Sequence, residues 1–116
     1  MSKNLQEYIS QNLPLEGVVA WGARLPDLTL ASHCYDNRLP ANRVDQAVSR
    51  LALAAECLGE YGIKPIHLCW KFELAAVHFA IRPDGSCLAL FLEKNSASPT
   101  EQIQVRLEKF LALKAL

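Results

Sequence analysis

Histidine and cysteine side chains are the groups in this 116-residue chain with the widest choice of chemistry. His67 and Cys69 are separated by one residue, so on a β-strand both project from the same face and could supply two ligands of a tetrahedral metal site. Protein zinc motifs, however, pair their ligands across tight turns, and no second pair follows at a matching spacing. The sequence therefore predicts that the chain has no metal site and no cofactor.

Nucleophilic catalysis by a cysteine paired with a histidine is the second chemistry open to these side chains. Such a pair needs a third group that orients the histidine, and it needs an oxyanion hole; the sequence supplies neither in a recognisable motif. The motifs GxGxxG, GxxxxGK[ST], GxSxG and HExxH do not occur. We therefore predict that the protein is not an enzyme.

The charge balance argues against polyanionic partners. Twelve Lys and Arg residues balance twelve Asp and Glu residues, so there is no cationic surplus to neutralise the phosphates of nucleic acid.

No apolar run approaches the roughly 20 residues that span a bilayer, and the N-terminal sequence is too polar for a signal peptide. We expect a cytoplasmic protein with no membrane span and no nucleic-acid partner.

The cysteines lie far apart and form no CxxC pair. In a reducing compartment an unpaired cysteine usually behaves as a small hydrophobic side chain. We therefore expect all of them to be buried thiols: Cys34, Cys57, Cys69 and Cys87.

Hydrophobic periodicity predicts the elements that position these residues. Alternation with period two indicates strands, and apolar residues at i, i+3, i+4 and i+7 indicate helices. The pattern predicts a helix over 2–12, strands over 18–23 and 28–35, a helix over 42–61, strands over 66–72, 75–81 and 87–93, and a helix capped by Ser98 that ends near 113. Either Gly59 or Gly62 is expected to cap the end of the long helix. This order predicts an α+β fold with one five-stranded antiparallel sheet, a long central helix and a helix at each end, all in one domain over 1–116.

The long helix has more apolar surface than one sheet face requires. Leu53, Ala54 and Cys57 fall outside its main apolar stripe. Two interpretations remain open at this point: a few scattered exposed apolar side chains, or a contact with another subunit.

Several segments resemble the roadblock/dynein light-chain family. Residues 17–23 (GVVAWGA) followed by 28–32 (LTLAS) are similar to the first hairpin of that family. Residues 76–92 (AVHFAIRPDGSCLALFL) are similar to its last two strands, and 104–108 (QVRLE) to its closing helix. One departure is the first turn, 24–27 (RLPD), where the family commonly has a tight turn such as Asp-Gly.

The resemblance implies a homodimer that is built by the long helix and the strand after it. It further implies a platform for small Ras-like GTPases or scaffold complexes, with no catalytic residues of its own but with a possible helper role in GTPase activation. The positions that we assign to the dimer contact on this basis are Val44, Ala47, Leu51, Leu53, Ala54, Cys57, Ile66, His67, Leu68, Cys69 and Trp70.

A profilin- or PAS-like sensory domain is the alternative function. Such a domain holds a small molecule in a cavity between its sheet and its helices. A large dimer interface without that cavity would favour the interaction module instead.

Overall fold

The computed structural model describes residues 3–35, 39–62, 67–71, 75–93, 100–114 and 116. The order of helices and strands is the predicted one, and together they form a single α+β fold. The elements are α1 (Lys3–Asn12), β1 (Val18–Arg24), β2 (Leu30–Cys34), α2 (Ala41–Glu60), β3 (His67–Lys71), β4 (Ala75–Ile81), β5 (Cys87–Glu93) and α3 (Thr100–Leu111).

The strands form one five-stranded antiparallel sheet in the order β2-β1-β5-β4-β3. β5 is the central strand, and all of its residues except Glu93 are buried. This burial confirms the prediction that was based on its apolar residues on both faces. β2 and β3 are the two edge strands of the sheet.

Helices cover both faces of the sheet and enclose two separate apolar cores. On one face α1 and α3 pack against the sheet through residues such as Leu5 and Phe110. On the other face α2 packs against Phe79 and its neighbours. Arg82, in the turn between β4 and β5, connects that turn to α3. Its buried guanidinium donates a hydrogen bond to the carbonyl of Phe110 at 2.9 Å.

The approach of α2 to the sheet is set by a glycine in β1. A Cβ atom at Gly22 would lie 2.7 Å from Cγ1 of Val44 and 2.6 Å from Cγ2 of Val48, distances that real Cβ atoms do not adopt. Gly22 therefore lets the backbone of α2 lie close against β1. As a result α2 packs mainly over β1 and β2, and it covers the β4 and β3 side of the same face less.

β2 begins two residues later than predicted. The side chain of Asp27 accepts hydrogen bonds from the backbone N–H of Thr29 at 3.0 Å and from its hydroxyl at 2.6 Å. Leu28 between them adopts a left-handed conformation, with φ of 74°. This side-chain turn replaces the extended backbone that was predicted from Leu28, so β2 starts at Leu30.

The sequence predicted a capping residue at the start of the last helix and another at the end of α2. The cap proposed at Ser98 lies outside the described residues. At the end of α2, Gly62 has a φ of 79°, the conformation that commonly follows a helix. This is one of the two glycines that the sequence offered for that end.

We predict that Gly22→Ala lowers the free energy of unfolding by about 1–3 kcal/mol, because the added methyl group collides with two buried valines. Gly59→Ala is the matched control, since a Cβ atom there meets nothing within 4 Å and α2 is helical at that position. The control should raise stability by up to about 1 kcal/mol. Urea unfolding of both variants tests this, and equal effects would show that the fit of α2 on β1 does not depend on Gly22.

Candidate functional site

Apolar side chains are exposed on the side of α2 that faces away from the sheet. Leu53 is 60% exposed and Tyr61, just after the helix, is 84% exposed. Ala54 and Cys57 lie between them and are also exposed. At 100° per residue these positions are roughly opposite the buried stripe, so they do not belong to the core of their own subunit. We call Leu53, Ala54, Cys57 and Tyr61 the α2 patch.

Tyr61 was not among the predicted contact residues. It lies one residue beyond the end of α2, although the predicted helix included it. Leu53, Cys57 and Tyr61 follow one another at intervals of four residues, which places them on one side of a helix. This spacing could have identified Tyr61 from the sequence.

A second group of predicted contact residues is partly exposed at the border of the core. Ala47 and Leu51 on α2 pack against the same core cluster as Leu68 and Trp70 on β3. Trp70 also contacts Phe79 edge to face, with ring centroids 6.2 Å apart. These side chains are thus anchored in their own subunit but retain surface that another molecule can cover.

β3 presents an open edge next to this border. It pairs with β4 on one side and, among the strands that the structure describes, with no strand on the other. Its side chains alternate as predicted: Leu68 and Trp70 are half-buried, while His67, Cys69 and Lys71 are exposed. The unpaired backbone groups of such an edge can bind a further strand.

Two of the predicted contact residues, Val44 and Ile66, are not supported as contacts by the structure. Val44 has 0% exposure because it faces β1 over Gly22, so it has no surface for a partner and its assignment was wrong. Its position in the stripe made it a core residue rather than a contact residue. Ile66 lies outside the described residues.

The expectation of four buried cysteines was also wrong. Only Cys87 is buried, and burial raises the pKa of its thiol to about 11. Cys34 is half-buried, while Cys57 and Cys69 are exposed. The helix and the edge strand place these last two on outward faces, which the apolar character of a cysteine does not reveal.

The charged residues in the N-terminal half of α2 are two arginines and Asp45, which is half-buried. Arg43 and Arg50 are exposed there, and Gln46 lies between them. Arg38, the third arginine near this helix, lies outside the described residues. Further along α2, Glu56 pairs with Arg24 of β1 at 3.0 Å.

Two histidines and a cysteine meet on the sheet face that carries α3. The antiparallel register places Cys69 of β3 opposite His78 of β4. Nε2 of His67 lies 3.4 Å from Nδ1 of His78, and Sγ of Cys69 lies 3.7 Å from Nε2 of His78. We call these three residues the His–Cys cluster.

Burial shifts the titration of both histidines. Burial is the main cause that lowers the pKa of His78, and the nearby His67 and Lys71 lower it further. Burial also lowers the pKa of His67, while Glu108 on α3 partly opposes this shift. Both shifts favour neutral rings at pH 7.

The geometry of the His–Cys cluster does not converge on one metal ion. His67 and Cys69 contact opposite ring nitrogens of His78, so their donor atoms surround the ring rather than a common point. Within the described part of the chain, no group of three His, Cys, Asp or Glu residues is arranged to hold a metal.

We predict that a strong chelator leaves the melting temperature unchanged and that elemental analysis finds no stoichiometric zinc. The reason is that structural zinc contributes folding free energy directly, so its removal would unfold the chain. Unfolding by the chelator would contradict the prediction. His67 and His78 would then be the first side chains to examine as ligands.

Two open grooves lie on the described surface. One, of about 590 Å³, lies beside the loop before β2 and is lined by residues such as Leu25, Pro26 and Leu116. The other, of about 300 Å³, lies between α1 and the end of α3. Neither lies between α2 and the sheet, where the sensory alternative would place its ligand.

Comparison of sequences yields no protein-family profile and no curated protein that matches the chain. Comparison of structures yields clear matches. The gliding protein MglB of Thermus thermophilus superposes with a TM-score of 0.69 over 95% of this chain and 84% of its own, at 11% identity. A Roadblock/LC7 domain from Streptomyces avermitilis superposes with a TM-score of 0.55 over 90% of this chain and 88% of its own, at 12% identity.

The chain has the Roadblock/LC7 fold. An MglB structure with a tetrameric arrangement shares this fold at a TM-score of 0.69, over 97% of this chain and 88% of its own, with 11% identity. Within the described part of the chain, no helix is both long enough and apolar enough to cross a bilayer.

Proposed function

We propose that this roadblock chain is a dimeric, non-catalytic interaction module of the cytoplasm that regulates or scaffolds a small Ras-like GTPase. The observation that carries the proposal is the α2 patch, whose apolar side chains point away from the subunit's own core. A monomer has no structural use for exposed leucine and tyrosine side chains on the same side of a helix, whereas a subunit interface does.

The size that a stable interface needs argues for a contact that includes both α2 and β3. A helix of 20 residues spans about 30 Å and is about 10 Å wide, so it presents roughly 300 Å² to a flat partner. A stable interface usually buries about 800 Å² on each partner. The half-buried Leu68 and Trp70 and the open edge of β3 supply additional surface.

A twofold axis would satisfy both features at once. In a symmetric dimer the same patch of each subunit contacts its copy. Antiparallel pairing of β3 with its copy would join two five-stranded sheets into one, with both α2 helices on the same face of the joined sheet. The tetrameric arrangement of the similar MglB structure supports self-association of this fold.

The GTPase partner follows from the family resemblance and fits the charge of α2. The chain carries no known catalytic motif, so it would act by binding and by positioning the residues of the GTPase itself. Arg43 and Arg50 leave the N-terminal half of α2 positively charged, which favours a partner with an acidic surface. The fold shared with the gliding protein MglB supports the family resemblance from which this partner is inferred.

We predict that the wild-type chain is a dimer and that Leu53→Glu is a folded monomer. The new carboxylate would be buried without a partner in an apolar contact, which costs several kcal/mol, while the core of the subunit stays intact. Light scattering at micromolar concentration gives the mass, and circular dichroism gives the fold. Val105→Glu is the matched control, because Val105 is an apolar residue of α3 that is 44% exposed on the other face of the sheet.

Three results would contradict this assignment. A monomeric wild type would remove the basis for the dimer. A Leu53→Glu protein that remains a dimer would show that Leu53 is an isolated exposed leucine. Loss of the fold in Leu53→Glu, with the Val105→Glu protein still folded, would show that Leu53 supports its own subunit.

We predict that Arg50→Glu weakens the binding of a Ras-like GTPase from the same organism by about tenfold, or about 1.4 kcal/mol. The reason is that charge reversal places two negative surfaces together, so the loss should shrink at high salt. Calorimetric titration with the GTPase in its GDP and GTP-analogue states measures the effect. Lys109→Glu on α3 is the control, and an equal loss in that variant would indicate a nonspecific charge effect.

A further inference from the structure

The His–Cys cluster has the arrangement of a nucleophile, a base and an orienting group. Cys69 is the nucleophile, with its sulfur 3.7 Å from Nε2 of His78. The other ring nitrogen of His78 lies 3.4 Å from Nε2 of His67. A thiol, a histidine and a third group that fixes the histidine are the parts that activate a cysteine in proteins.

The contacts of the cluster are compatible with a base role for His78. A neutral histidine carries one proton, so His78 can accept a hydrogen bond at one ring nitrogen and donate one at the other. Two tautomers of His78 fit the observed distances. In the one that the proposal uses, the thiol of Cys69 donates to Nε2 of His78, and Nδ1 of His78 donates to Nε2 of His67. This tautomer presents a free lone pair to the thiol, as a general base must.

We propose that Cys69 is an activated thiol, with His78 as its base and His67 as the positioning residue, and that it reacts with small anionic disulfides. In the reaction, the sulfur of Cys69 attacks one sulfur of the disulfide and displaces the other as a thiolate. His78 takes the proton of Cys69 and returns it to the leaving thiolate. The products are a mixed disulfide on Cys69 and one free thiol, so no external oxidant is consumed.

The surroundings of the cluster favour a disulfide over an acyl substrate. Acyl transfer needs donors for an oxyanion, whereas thiol exchange needs only an accessible thiolate and a protonated leaving group. Cys69 is exposed and provides that access. Lys71, exposed on the same face of β3, supplies a positive charge for an anionic disulfide, and Glu108 of α3 lies on the side of His67.

The reaction does not depend on the proposed dimer, because all three residues belong to one subunit. Pairing at the edge of β3 would use backbone groups in the plane of the sheet. The side chain of Cys69 stands out from the face of the sheet, on the side of α3.

The test is the rate at which glutathione disulfide modifies Cys69 at pH 7, followed by mass spectrometry of the peptides. His78→Gln should slow the modification about tenfold. This is less than the roughly hundredfold minimum that a positioned base usually contributes in an enzyme. His67→Gln should slow it by a smaller factor and change its pH profile. His33→Gln is the matched control, because His33 is an exposed histidine of β2 at the opposite edge of the sheet and should have no effect.

A measurement on the wild type alone keeps the proposal testable if a variant fails to fold. Cys69 in the folded chain should react about tenfold faster than the same cysteine in the chain unfolded by urea, because only the folded chain holds the base beside the thiol. Equal rates in the two states would overturn the proposal, and so would a folded His78→Gln protein that reacts at the wild-type rate. Neither result bears on the mass of the dimer, so the two proposals fail independently.

Discussion

The close contact between Gly22 and α2 is the constraint on which the rest of the structure depends. Val44 and Val48 occupy the space that any larger residue at position 22 would need, so the helix lies directly on β1. With α2 held there, the side chains on its far side point away from the sheet, and no strand of the described residues pairs with the outer edge of β3. The same contact therefore fills one core and leaves a surface that is apolar and uncovered.

Much of the fold could be predicted because the relevant signals are local. The alternation in β4 and β5 gave their boundaries, and the helical period of α2 gave its buried face. The start of β2 could not be found in this way, because the hydrogen bonds of Asp27 override a strand-like pattern. The mistaken assignment of Val44 has another cause: periodicity identifies an apolar stripe but does not say whether the chain itself or a partner covers it.

The candidate sites show the same division between local and long-range information. Alternation placed His67 and Cys69 on one face, as the structure does. Their meeting with His78 depends on the pairing of β3 with β4, and no local pattern gives that register. For this reason the sequence could not show that His78 is the histidine that lies beside His67 and Cys69. Exposure of Cys57 likewise depends on where α2 lies, which the glycine in a distant strand determines.

The opposite edge of the sheet has its own consequence. β2 has five residues where its neighbour β1 has seven; Leu30, its first residue, and Leu28, in the turn before it, are exposed. If two subunits pair through their β3 strands, then the two β2 strands form the outer edges of the joined sheet. A strand that can pair with its own copy at each margin would allow growth into a chain of unlimited length. The turn at Asp27 limits such pairing, because the backbone N–H of Thr29 is already bonded to Asp27 and Leu28 is not extended, so no strand edge continues on that side of Leu30.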